Sequence, residues 1–132
     1  MLVVDSSALI NVLLYPKPSA DLRRRVLEAE SLHAPHLLDL EILQVLRGLV
    51  RTGKVSADRA DDARQDVLQL PLERYPHTGF AERVWALRHT LTAYDAAYVA
   101  LSEVLAMPLV TSDARLARAS GHGAAVEHYP LD

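Results

Sequence analysis

The sequence predicts an α/β fold in which a mostly parallel sheet is covered by helices on both faces. Short apolar runs recur along the chain at residues 2–4, 32–35, 71–75, 108–111 and 125–128. Between them lie segments of helical periodicity, several of ten or more residues, long enough to carry the chain back so that successive strands run the same way. In such sheets the functional crevice lies beyond the carboxyl ends of the strands, so the residues that close each apolar run deserve the closest reading.

Leu2 to Val4 forms the first strand, closed by Asp5, and Ser6-Ser7 opens a helix through Ala8, Leu9, Val12 and Leu13. Pro16 and Pro18 break that helix, and Ser19-Ala20-Asp21 starts another that runs to about residue 30. After the strand at 32–35 the segment 37–51 is strongly helical, with Gly53 marking its end. Ser56-Ala57-Asp58 caps a helix over 60–70, and a short strand at 71–75 follows. Helices are predicted at 79–91 and 94–106, separated by Thr92-Ala93. A strand at 108–111, a short helix at 114–119 and a last strand at 125–128 complete the chain.

The 132 residues are half hydrophobic and contain no cysteine, which suits one compact domain spanning 1–132 and leaves no disulfide, thiolate or cysteine nucleophile. No basic leader precedes the first apolar run and no run approaches the ~18 to 20 residues of a bilayer span. The expectation is a soluble, cytoplasmic protein without a membrane association. Fourteen basic and 17 acidic residues leave a net charge of −3, which argues against a broad positive field. Local clusters at Arg23-Arg24-Arg25 and at Arg47, Arg51 and Lys54 still allow a polyanionic substrate.

Four acids stand in unusual places. Asp5 ends the first strand, and Asp113 follows the strand at 108–111 after Ser112, so both project from one edge of the sheet. Either alone is more readily read as a helix N-cap, since caps far outnumber catalytic acids. Glu41 has Leu37, Leu38 and Val45 as its helical neighbours, so it lies within an apolar stripe, where a carboxylate requires a cation or a salt bridge from elsewhere. Asp95 fits a capping box with Thr92, yet it shares a face with Leu91, Tyr98 and Val99. If all four converge, they repel one another by about 4 kcal/mol per close pair, and the cluster takes up protons or a hard cation. Oxygen-only ligands select magnesium or manganese, and the corresponding chemistry is metal-assisted phosphodiester hydrolysis.

Four segments carry a family likeness: Val3-Val4-Asp5-Ser6-Ser7-Ala8-Leu9, Leu40-Glu41-Ile42-Leu43-Gln44-Val45-Leu46, Tyr94-Asp95-Ala96-Ala97-Tyr98-Val99-Ala100-Leu101 and Leu109-Val110-Thr111-Ser112-Asp113. In this order the chain resembles the PIN-domain nucleases, and among them the toxins of bacterial VapBC toxin-antitoxin pairs. The resemblance implies a three-layer α/β/α sandwich with Asp5, Glu41, Asp95 and Asp113 as a catalytic, metal-binding cluster. It implies a Mg2+- or Mn2+-dependent endoribonuclease that cuts tRNA or rRNA and inhibits translation. It also implies a homodimer held inactive by a cognate antitoxin. Gln44, where the family often has asparagine, and Leu116, near which it often has an aromatic residue, depart from the pattern without touching the four acids.

On this reading Asp5 and Asp95 hold the main ion, and Glu41 and Asp113 complete its shell directly or through water. Thr111 and Ser112 either orient a carboxylate or serve as ordinary turn hydroxyls. Arg115 and Arg118 meet RNA phosphates at the rim, or simply form a solvated helix face. The six histidines make no ligand motif and none is assigned to catalysis, with His33 and His36 expected in an edge or loop. The helix at 37–50 is apolar on more sides than one core-facing stripe uses, so part of it is expected to meet another chain. Two other readings compete. A phosphatase or receiver-like domain lacks its second acid near Asp5 and a late lysine, since only Lys17 and Lys54 are present. A non-catalytic module binding RNA or protein would have no need of all four acids.

Overall fold

The computed structural model describes residues 1–15 and 19–130. The expected break at Pro16 and Pro18, and Lys17 between them, lie outside the described residues. Five parallel strands form the central sheet: β1 (Leu2–Val4), β2 (Leu32–Pro35), β3 (Leu72–Tyr75), β4 (Leu109–Thr111) and β5 (Val126–His128), in the order β3-β2-β1-β4-β5. Among the described residues seven helices accompany them: α1 (Ser6–Leu14), α2 (Ala20–Leu27), α3 (Leu37–Arg51), α4 (Ala57–Gln69), α5 (Ala81–Ala86), α6 (Ala93–Leu105) and α7 (Ala114–Arg118). The architecture is the expected three-layer α/β/α sandwich.

Burial follows position in the sheet. Leu2, Val3 and Val4 of β1 and Leu109, Val110 and Thr111 of β4 are fully buried, because both faces of these inner strands are covered. The edge strands β3 and β5 keep partly exposed residues. Leu9, Leu22, Leu38, Tyr98, Leu101 and Leu116 bring the helices onto this core. Chain order runs outward in opposite directions from β1 and β4, so the sheet's topological switch point, the place where open parallel sheets take their ligands, lies between them. Val3 pairs with Leu109 and Val4 with Val110, which sets Asp5 and the residues after Thr111 side by side.

Several helix ends use the caps legible in the chain. Ser19, Ser56 and Thr92 accept hydrogen bonds from the backbone N–H groups of Leu22, Arg59 and Asp95. After α3 the chain turns through Gly53 at φ 74°, a left-handed conformation that glycine adopts without a Cβ penalty. α2 stops at Leu27 instead of about residue 30, and α4 begins at Ala57, directly after its serine cap.

The continuous helix expected at 79–91 is not formed. A 3-10 turn, His77–Phe80, leads into the short α5, and tight bonds follow, with Arg88 N–H donating to the Trp85 carbonyl and Thr90 N–H to that of Leu87. Phe80, Leu87 and Leu91 remain buried, so the apolar spacing that mimics a helix is satisfied by successive tight turns. His33 also departs from expectation. It lies 4% exposed in an interior strand, its Nε2 2.8 Å from Ser31 Oγ and its Nδ1 2.6 Å from the Tyr75 hydroxyl. His36 stands at the start of α3 and is exposed. Among the described residues no helix is long and apolar enough to cross a membrane.

Candidate functional site

Asp5 sits at the switch point with 4% exposure. Three donors fix its carboxylate: Ala8 N–H at 2.9 Å and the Ser7 hydroxyl at 2.7 Å on Oδ1, and the Thr111 hydroxyl at 2.5 Å on Oδ2. Burial nevertheless pushes its pKa up to about 6, with a smaller upward contribution from the charge of Asp113, because three donors only partly replace the lost water. Thr111 links the two strand ends. Its Oγ1 donates to Asp5 and accepts from the backbone N–H of Asp113 at 2.9 Å. Behind it, Ser7 Oγ accepts from Ser112 N–H at 3.0 Å, and Asn11 Nδ2 donates to Ser112 Oγ at 3.2 Å.

Asp5 and Asp113 do cap helices, which does not exclude a second role, while the capping box at Asp95 is formed from the Thr92 side only. Asp5 caps α1 through Ala8, and Asp113 caps α7 by accepting from Arg115 N–H at 2.8 Å. Asp95 donates its own N–H to Thr92 Oγ1 at 3.1 Å, while its carboxylate stands in the first turn of α6, where the helix dipole favours negative charge. Its pKa is nonetheless raised, first by burial and then by the charge of Asp113.

Glu41 is partly buried on α3, and no basic side chain meets it among the described residues. Its Oε1 accepts instead from the Tyr98 hydroxyl at 2.5 Å and from the Ser6 hydroxyl at 3.4 Å. Its pKa is raised chiefly by burial, and further by the charge of Asp95. Asp5 thus feels Asp113, Asp113 acts on Asp95, and Asp95 acts on Glu41. The four acids that the chain scatters over more than a hundred positions are electrostatic neighbours.

Three arginines form two-pronged or close ion pairs with acids outside this group. Arg25 pairs with Glu127 at 2.9 Å, Arg74 with Asp39 at 2.6 Å and Arg83 with Glu103 at 2.8 Å. Among the described residues none of the four acids takes part in an ion pair. Among the described residues no three His, Asp or Glu side chains form a preassembled ion cage. The donor set is all carboxylate and hydroxyl oxygen, and its negative charge is unmet, so its chemistry fits a hard divalent cation. Ser6 supplies a longer hydroxyl contact to these acids, and Ser7, Thr111 and Tyr98 supply the short ones. Of the three, Ser7 and Tyr98 were not singled out in the sequence, and the only signal for Tyr98 is that a buried tyrosine needs a partner for its O–H.

Beside the acids, α3 presents Leu40, 71% exposed, together with exposed Leu43, Val45 and Val50, and Tyr94 of α6 is exposed nearby. Leu38, Ile42 and Leu46 form its buried stripe, so the surplus apolar surface read from the sequence does remain uncovered in the single chain.

A family model described as PIN domain matches residues 2–121. Ribonuclease VapC9 of Mycobacterium tuberculosis is 44% identical over 116 residues, 88% of each chain. The crystal structure of PAE2754 from Pyrobaculum aerophilum superposes with a TM-score of 0.71 at 27% identity, covering 95% of this chain and 81% of that one. A toxin-antitoxin complex from Klebsiella pneumoniae contains a chain of the same fold, with a TM-score of 0.62 at 16% identity over 86% of this chain and 87% of that one.

Proposed function

Since the chain belongs to the PIN-domain family, we propose that it is a Mg2+- or Mn2+-dependent endoribonuclease, the toxin of a toxin-antitoxin pair, that hydrolyses phosphodiester bonds in tRNA or rRNA and so inhibits translation. The observation that carries this reading is that Asp5, Glu41, Asp95 and Asp113 act on one another's charge in series, while none of them forms an ion pair among the described residues. Its similarity to a ribonuclease at 44% identity supports the RNA substrate.

Asp5 and Asp95 would hold the ion, with Glu41 and Asp113 completing the set directly or through water. When bound, the ion supplies charge neutralisation for the scissile phosphate and a lowered pKa for the attacking water. The protein's own groups do the positioning. Ser7 and Thr111 hold the Asp5 carboxylate from both oxygens, and Asp95 stands in the first turn of α6. The positive charge of Arg115 acts on Asp95 from the rim, where the exposed guanidinium can meet a backbone phosphate. The uncovered apolar face of α3 supports two protein contacts, a second copy of the chain and a cognate antitoxin.

The test is cleavage of total RNA by purified protein freed of bound partners, in Mg2+, Mn2+ or EDTA. Discrete, metal-dependent cuts that disappear in Asp5→Asn are expected. Cleavage that persists in EDTA and in that variant would reject the mechanism.

A further inference from the structure

The buried tyrosine beneath the acid cluster has a function the acids alone do not explain. Tyr98 lies one turn beyond Asp95 on α6 and has no exposed surface, so packing fixes its ring and with it the position of its hydroxyl. That hydroxyl donates to Oε1 of Glu41 at 2.5 Å, across the gap between α6 and α3. The Ser6 hydroxyl approaches the same oxygen, whereas Oε2 accepts no hydrogen bond among the described residues. We propose that Tyr98 is a positioning residue for the metal site, holding one oxygen of Glu41 so that the other is presented toward Asp95.

The choice of a hydroxyl has a physical consequence. Arginine at this place would orient Glu41 equally well but would cancel its charge. A phenol orients the carboxylate and leaves its negative charge available to a cation. A free glutamate also loses considerable rotamer freedom when it binds an ion, and a side chain already held has less to lose. Every buried polar side-chain atom among the described residues has a partner. Removing the Tyr98 oxygen would leave Glu41 with only the longer contact from Ser6.

This inference rests on the proposed ion site, and its test separates the two. Mn2+ affinity is measured by calorimetry for the natural protein, Tyr98→Phe, Glu41→Gln and the double variant, with folding checked by circular dichroism. Tyr98→Phe is expected to bind Mn2+ roughly tenfold more weakly, within the range found when partners of metal ligands are removed. In RNA cleavage it needs correspondingly more Mn2+ for half-maximal rate, with the rate at saturating Mn2+ within about twofold of the natural protein's, as expected when only binding is weakened. In the Glu41→Gln background the tyrosine substitution should change nothing further. Natural affinity in Tyr98→Phe, or effects that simply multiply in the double variant, would overturn the positioning role while leaving the ion site standing. Absence of Mn2+ binding by the natural protein would overturn both. Tyr98→Leu, which also lacks the hydroxyl, carries the same expectation should the phenylalanine variant fail to fold.

Discussion

Asp5→Asn should make the metal-free protein more stable while abolishing its activity. In the unfolded chain Asp5 titrates near 3.8, whereas in the fold it titrates at about 6, so the folded state binds the proton more tightly. The stability this provides is complete below about pH 3.8 and is lost as pH rises through 6. Above that the ionised side chain costs the fold up to about 3 kcal/mol, at about 1.4 kcal/mol per pH unit. Asparagine has no charge to bury and keeps a carbonyl for the N–H of Ala8, but it cannot accept from Thr111 on its nitrogen. That loss reduces the expected gain to about 1 to 2 kcal/mol, or a Tm rise of about 4 to 8 °C. The assay is thermal unfolding of both proteins in EDTA between pH 4 and 8, with RNA cleavage measured in Mn2+. The variant should be the more stable above pH 6 and, with only the lost hydrogen bond remaining, the less stable by about 1 to 2 kcal/mol near pH 4, with cleavage reduced roughly 100-fold or more. A variant less stable at pH 7.5, or a difference indifferent to pH, would refute the argument from burial.

Thr111→Val retains the shape of the strand but leaves Asp113 N–H without its acceptor and Asp5 without the hydroxyl that lowers its pKa. It should destabilise by about 1 to 3 kcal/mol in urea unfolding, and its Mn2+ affinity should fall more steeply below pH 7 than that of the natural protein. Ala106 closes α6 in the left-handed region at φ 53° and ψ 42°, so Ala106→Gly should raise stability by about 0.5 to 1 kcal/mol in the same assay, without affecting cleavage.

The parts of this account legible in the sequence are those that local periodicity encodes. The apolar runs ended by Asp5 and Asp113 were readable because inner parallel strands are buried on both faces and the chain must turn where burial stops. Glu41 stood out because its i−4, i−3 and i+4 neighbours are apolar. The segment 79–91 misled for the same reason, since buried Phe80, Leu87 and Leu91 keep a helix-like spacing through turns that are not α-helical. His33 was placed at an edge because Pro35 nearby suggested a loop, whereas this strand is interior and a neighbouring tyrosine satisfies its ring. The contacts of Thr111 with Asp5, and of Tyr98 with Glu41, join residues from different elements. Where such contacts span 57 or 106 positions, no local spacing signals them.

The central claim is that four carboxylates without basic partners jointly bind a divalent cation. Calorimetric titration of Mn2+ at pH 7.5 into the natural protein and into Asp5→Asn, Glu41→Gln, Asp95→Asn and Asp113→Asn tests it most directly. Saturable uptake by the natural protein, weakened in every one of the four variants, is the predicted result. No uptake, or uptake that all four substitutions leave unchanged, would contradict it.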